Sequence, residues 1–331
     1  MKVGKLPTSV LKEVVFSNIT SKREEVLVRP GIGEDCAVID FGEYVCVLST
    51  DPITGAINNI GHLAIHISCN DVASNGIQPI GIMITILAPT NTTKEDIQQI
   101  MRDANNAAAS IDVEIIGGHT EITDAVNRVV ISTTAIGKQL KNDMISTRGA
   151  KVGDVIIMTK HAGLEGASII ATDFCEELKQ QMSTTEIDTA INFSKDLSVV
   201  KEGIVAGRIG VHSMHDVTEG GILGALWELA EASDLGIEVD INCIPISQET
   251  RKISNIMNIN PYRLISSGVM LISLEKEKAN DLIKLLDLEG VKGTIIGRIT
   301  KGKRVIVDGG NITPLAEPDT DELYKVFEKK V

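Results

Sequence analysis

A chain of 331 residues, 43% hydrophobic and 23% charged, has twice the usual single-domain length and a composition that fits about two folded domains and excludes a disordered protein. A net charge of −13 repels phosphate backbones and anionic lipid, so nucleic acid and membrane surfaces are excluded as partners, and a polyanionic substrate would need metal ions as intermediaries. Five scattered cysteines (Cys36, Cys46, Cys69, Cys175 and Cys243), odd in number and never in a CxxC pair, argue against a disulfide framework or structural zinc and fit a reducing cytoplasm.

Residues 1–10 carry lysines but no apolar signal core, and no run reaches the roughly 18 apolar residues of a membrane span, so an untargeted cytoplasmic protein is expected. Strands are predicted over 44–50, 80–87, 113–116 and 129–136 from β-branched runs. Between them a helix is predicted over 92–111, with Ile97, Ile100, Met101, Ala104, Ala107, Ala108 and Ile111 on one face and capping-box spacing at Thr92 and Glu95. A polar, glycine-containing stretch at 138–154 marks the domain boundary, placed at 145/146. Strands over 155–159, 236–241, 268–274, 294–299 and 304–308 and a helix over 222–232 follow. Two mixed α/β domains, each with its own sheet, are the simplest reading.

Several carboxylates stand where such domains place ligands. Asp35 lies in GIGEDC, where Gly31 and Gly33 permit a tight turn and close backbone approach, although a plain surface turn accounts for the same residues. Asp51 is expected at the carboxyl end of a strand, the usual side for ligands in α/β sheets, or in an ordinary Asp-Pro turn. Asn70 and Asp71 interrupt an apolar helix running on from Gly61, where burial without partners is costly. Three aspartates at element ends suit magnesium, a hard cation shared between carboxylates and phosphates.

Gly117, Gly118, His119, Thr120 and Glu121 follow a predicted strand and offer a flexible backbone with ligating side chains; a glycine turn is the alternative. His215, Asp216, Thr218, Gly220 and Gly221 lead into the 222–232 helix, whose first N–H groups would suit an anion, with a simple N-cap as the other reading. His62 and His66 have the i, i+4 spacing of metal ligands but no acidic residue between them, so packing histidines are preferred. No GxxxxGK[ST] loop, GxGxxG fingerprint or GxSxG elbow occurs, which removes the standard nucleotide loops and hydrolase triads.

In order, the blocks GIGEDC, STDPIT, CNDVASNGIQP, GGHTE, HDVTEGG and SSGVMLIS resemble the superfamily of aminoimidazole ribonucleotide (AIR) synthetase, selenophosphate synthetase, thiamine-monophosphate kinase and the hydrogenase maturation factor HypE, most of all the HypE branch. The resemblance implies a PurM-like fold of mixed α/β (α+β) class. Residues 1–145 would form an ATP- and metal-binding domain whose strands join a partner's in an intersubunit β-barrel, and 146–331 a second α/β domain. It implies ATP and Mg2+ as cofactors, with metal on Asp35, Asp51, Asp71 and Asp216. Nucleotide contacts are implied for Gly33, Asp51, Asn70, Gly117, Gly118, Thr120, Thr218, Gly220 and Gly221. The implied partners are an unidentified small-molecule acceptor, a second copy in a homodimer and a maturation complex; the implied activity is ligase/cyclase or phosphotransferase chemistry, a thiamine-monophosphate kinase-like transfer included. Two departures stand out. No cysteine follows Cys243, so the carbamoyl chemistry of the HypE terminal cysteine is not expected, and His119 replaces the aspartate of the kinase branch. The amino-terminal segment also lacks the Cys/Lys pair of selenophosphate synthetases.

Overall fold

The computed structural model describes residues 4–54 and 59–328; the chain end at 329–331 lies outside the described residues. The first sheet contains β1 (Val26–Val28), β2 (Ala37–Phe41), β3 (Tyr44–Ile53), β4 (Pro79–Ala88), β5 (Glu114–Ile122) and β6 (Val130–Leu140) in the order β1-β2-β3-β6-β4-β5. Within this sheet, among the described residues, only β4 and β5 run parallel, and the Lys94–Ser110 helix makes the crossover that parallel pairing requires. Its cap is one residue beyond the expected place. Thr93 and Asp96 form the reciprocal box, because Asp96, with its shorter side chain, accepts from the Thr93 N–H at 2.9 Å while the Thr93 hydroxyl accepts from the Asp96 N–H at 3.1 Å.

Burial alternates along β6: Ile131, Thr133 and Ala135 are fully buried while their neighbours are half-buried. The buried face packs on the Ile60–Ala73 helix, which is buried almost all round, as an apolar helix in a core must be. The second sheet contains β7 (Val155–Thr159), β8 (Ser213–Val217), β9 (Gly236–Asp240), β10 (Val269–Leu274), β11 (Gly293–Thr300), β12 (Arg304–Asp308) and β13 (Asn311–Pro314), ordered β13-β12-β9-β11-β7-β10-β8. No strand is shared between the sheets, which break between Leu140 and Val155.

The halves nonetheless share a core. One continuous buried cluster runs from Val38, Val47 and Ile65 to Ile157, Met214, Met270 and Ile272. At the seam the Val200–Ile209 helix touches the end of the Ile60–Ala73 helix so closely that a Cβ on Gly203 would lie 2.2 Å from the Ala73 carbonyl oxygen. The amino-terminal segment also crosses to the second half, where Lys12 pairs with Glu231 at 2.9 Å. Among the described residues, no helix is long and apolar enough to cross a membrane.

Candidate active site

Four aspartates far apart in the chain line one cavity of about 460 Å³ between the two halves. Asp51 comes from β3, which extends past its expected end. Because β2 pairs with β3 only as far as Leu48, the run through Asp51 and Pro52 has β6 as its single neighbour, where a residue without an N–H is tolerated. Asp71 comes from the last turn of the Ile60–Ala73 helix, Asp216 from β8 and Asp35 from the loop before β2. The Ser49 hydroxyl donates to Asp51 at 3.3 Å and also to Asp71, tying those carboxylates together.

Packing acids this closely in a buried setting is expensive for the charged form. Asp71 is held well above the usual carboxylate range, first by burial and then by the charges of Asp216 and Asp51. Asp216 is raised as well, by burial and by Asp35. One Asp216 oxygen, Oδ2, is buried and has no hydrogen-bond partner. A donor set made of carboxylate oxygens, with an acceptor left unmet, is the chemistry of a hard divalent cation.

His215 stands beside this cluster, its ring nitrogens close enough to Asp35 and Asp216 to suggest a metal ligand. Both nitrogens are already engaged, however: Nδ1 with Asp35 Oδ1 at 2.8 Å and Nε2 with Glu228 Oε2 at 3.2 Å. Burial alone would lower its pKa, but Asp35 and Glu228 outweigh burial and hold it well above the ordinary value. With both ring nitrogens engaged, His215 orients Asp35. Arg148, at 2.7 Å from Glu34, steadies the same loop.

Other predicted positions go elsewhere. Asn70 is fully buried but does not face the cavity: its Nδ2 donates to the Leu197 carbonyl at 2.7 Å and its Oδ1 accepts from the Val199 N–H at 2.9 Å, clasping the second half. Gly33, at φ +73°, packs where a Cβ would lie 2.7 Å from the Glu228 carbonyl oxygen, so it seats the Asp35 loop on the Gly221–Ala232 helix. Thr218 lines the cavity and accepts from Lys5 Nζ at 3.3 Å. Gly220 and Gly221 do not offer free donors to an anion, since their N–H groups bond Asp321 Oδ2 at 2.7 Å and the Thr218 carbonyl at 3.1 Å. Gly117, Gly118 and Thr120 lie within β5 instead of a turn after it, on the open edge of the first sheet and outside the cavity of this chain. His119 and Glu121 pair there at 3.4 Å, both exposed. His62 bonds the Ser194 carbonyl at 2.9 Å and packs edge-on against buried His66, whose pKa burial lowers to about 3, in keeping with packing histidines.

The sequence matches the N-terminal domain of AIR synthase related protein over residues 33–139 and the C-terminal domain over residues 151–310. The chain belongs to the AIR synthase-related family. It is 28% identical over 318 residues to a putative hydrogenase expression/formation protein of Methanocaldococcus jannaschii, covering 92% of this chain and 90% of that one. In fold it is similar to the crystal structure of a HypE–HypF complex (TM-score 0.77, 21% identity, 94% of this chain and 100% of that one). It is also similar to HypE in complex with ATP (TM-score 0.72, 19% identity, 96% of each chain).

In this AIR synthase-related chain the cavity also contains residues that the sequence reading missed. Lys5, from the amino-terminal segment, is the cavity's one basic side chain among the described residues. Its pKa is raised, chiefly by Glu228. Tyr324, in the Glu322–Glu328 helix, donates to Glu219 Oε1 at 2.9 Å. Neither carries a sequence signal, because a lone lysine near one end and a tyrosine near the other acquire meaning only when the ends meet. Glu165 did carry one: an acid within the small and apolar run 162–171.

If His215 orients Asp35, His215→Gln will weaken divalent-cation affinity about 10- to 100-fold, as loss of a residue supporting a ligand does. It will also destabilise the protein by roughly 3–5 kcal/mol by leaving buried acids unpaired. Metal titration and urea unfolding of the same variant check both effects.

Proposed function

We propose that this AIR synthase-related protein is a Mg2+- and ATP-dependent enzyme that activates or phosphorylates a small acceptor. The observation that carries this reading is the gathering of Asp35, Asp51, Asp71 and Asp216 around one cavity, with an unmet buried carboxylate oxygen among them. Those four residues would hold the cations. Magnesium, when bound, neutralises phosphate charge and bridges protein to nucleotide.

The remaining roles belong to the chain itself. His215 and Arg148 fix the loop that presents Asp35, Ser49 spaces Asp51 from Asp71, and Lys5 supplies a permanent positive charge at the cavity wall. Positioning and charge neutralisation of this kind are the main protein contributions to phosphoryl transfer. The likeness to HypE with ATP supports the nucleotide.

The reading includes a homodimer. β5 is an open strand edge on which Ile116 and Ile122 are exposed, with Ile80 and Met83 exposed on adjoining β4. Exposed edges and apolar patches favour pairing. Gly117, Gly118 and Thr120 would then reach a nucleotide from the partner's side. A second reading, a maturation-complex component with little turnover, draws support from the fold likeness to HypE in its HypF complex.

Calorimetry will show ATP binding that requires Mg2+ and disappears with chelator. Equal ATP affinity with and without divalent cation would overturn the proposal. Slow turnover with every small acceptor tried, despite tight binding, would favour the second reading.

A further inference from the structure

Within the reading of the cavity as a Mg-ATP site, the geometry points to an acceptor subsite against its apolar wall: a small recess in which Glu165 recognises an N–H donor group. Besides the four aspartates, Leu63, Ile67, Ile169, Ile265 and Leu323 line the cavity and supply apolar wall. Glu165 lines the same cavity from the Leu164–Asp173 helix, only 3% exposed, and its Oε2 has no hydrogen-bond partner. The acids that act on it are Asp321 and Glu219, not the four aspartates.

The other acids away from the aspartates are spoken for. Glu34 pairs with Arg148. Glu219 accepts from the Lys5 N–H and from Tyr324 Oη. Asp321 accepts from the N–H groups of Gly220, Ile265 and Leu323. Among these acids only Glu165 keeps a buried oxygen unpaired, with the equally unpaired Ser267 hydroxyl on the same cavity wall, a costly state that a polar group on a bound molecule would relieve. Burial pushes the Glu165 carboxyl up to about 7, against the polar groups of Ser267, which lower it.

Chemistry along this wall selects the occupant. A surrounding of carboxyls disfavours an anionic head group, while apolar walls favour a short hydrocarbon body. The acceptor is therefore a small molecule joining a few carbons to an amine, amidine or amide. Glu165 also borders a second, separate pocket of about 30 Å³ lined by Ser168, His62 and Ser194. That space fits one water-sized group.

Butylamine, butyramide and butyrate form a matched probe set with one body and three head groups. Ligand-observed NMR, on full-length protein saturated with Mg2+ and a non-hydrolysable ATP analogue, will show millimolar binding of butylamine and butyramide and none of butyrate. Glu165→Gln, which keeps size and shape, will weaken butylamine at least tenfold while leaving affinity for the ATP analogue unchanged, and that unchanged affinity also shows that the variant is folded. Butyrate binding as well as butylamine, or wild-type butylamine affinity in Glu165→Gln, would overturn the subsite while the nucleotide reading stood. Failure of the wild type to bind the ATP analogue at all would instead sink the nucleotide reading.

Discussion

Asp71→Asn is expected to lower Mg-ATP affinity by about 30- to several-thousand-fold, or roughly 2–5 kcal/mol, the range for removing one member of a buried charge pair. Asp71 is buried and is tied to Asp51 through the Ser49 hydroxyl. An amide keeps its shape and one acceptor oxygen but cannot neutralise a cation. The fold should survive, because without metal the exchange removes a source of repulsion: Asp216 and Asp51 both disfavour the ionised form of Asp71. Calorimetry paired with thermal melting tests both halves. Unchanged nucleotide affinity, or collapse of the fold, would count against the assignment.

A second large effect joins pH, metal and stability. Asp71 and Asp216 hold their protons more tightly folded than unfolded, as do Glu165, raised to about 7, and Asp321, raised to about 6; burial is the leading cause in each. The folded state thus binds more protons than the unfolded chain. Stability from these groups is fully present below the ordinary carboxylate pKa of about 4 and is lost as pH rises through the raised folded values, about 6 for Asp321 and about 7 for Asp216 and Glu165. His215, whose pKa is also raised, acts in the same direction at still higher pH. Metal-free protein should therefore melt several degrees lower at pH 8 than at pH 5. Mg2+ binds the ionised carboxylates, so it should stabilise far more at pH 8 than at pH 5, by roughly 2.7 kcal/mol at a hundredfold excess over its dissociation constant. Melting curves at both pH values, with and without Mg2+, will show a crossing pattern; parallel curves would mean that the carboxylates do not share a cation.

Local periodicity made the sheet-forming runs legible, since β4, β6, β7, β9, β10, β11 and β12 all contain stretches read as strands from β-branched residues. It failed where tertiary pairing overrode a local signal. Gly117 and Gly118 read as a flexible stretch following a strand, yet pairing with β4 carries the strand through both of them. His215 and Asp216 read as a helix approach, yet β8 is a wholly buried strand, stabilised by pairing with β10.

At the site, the aspartates were legible because acids at the ends of apolar elements need a purpose. Asn70 shows the limit of that logic: a buried amide needs partners, but sequence does not say whether they are ligand or protein, and here they are Leu197 and Val199. Lys5, Asp321 and Tyr324 enter the cavity because the segments near both ends of the chain fold back over it, which no local pattern records.

The most direct test is crystallographic. With Mn2+ in place of Mg2+ and a non-hydrolysable ATP analogue, anomalous scattering should place manganese against carboxylate oxygens of Asp35, Asp51, Asp71 and Asp216, with the triphosphate on its other side. Manganese at other carboxylates, or a triphosphate bound away from these four side chains, would contradict the account.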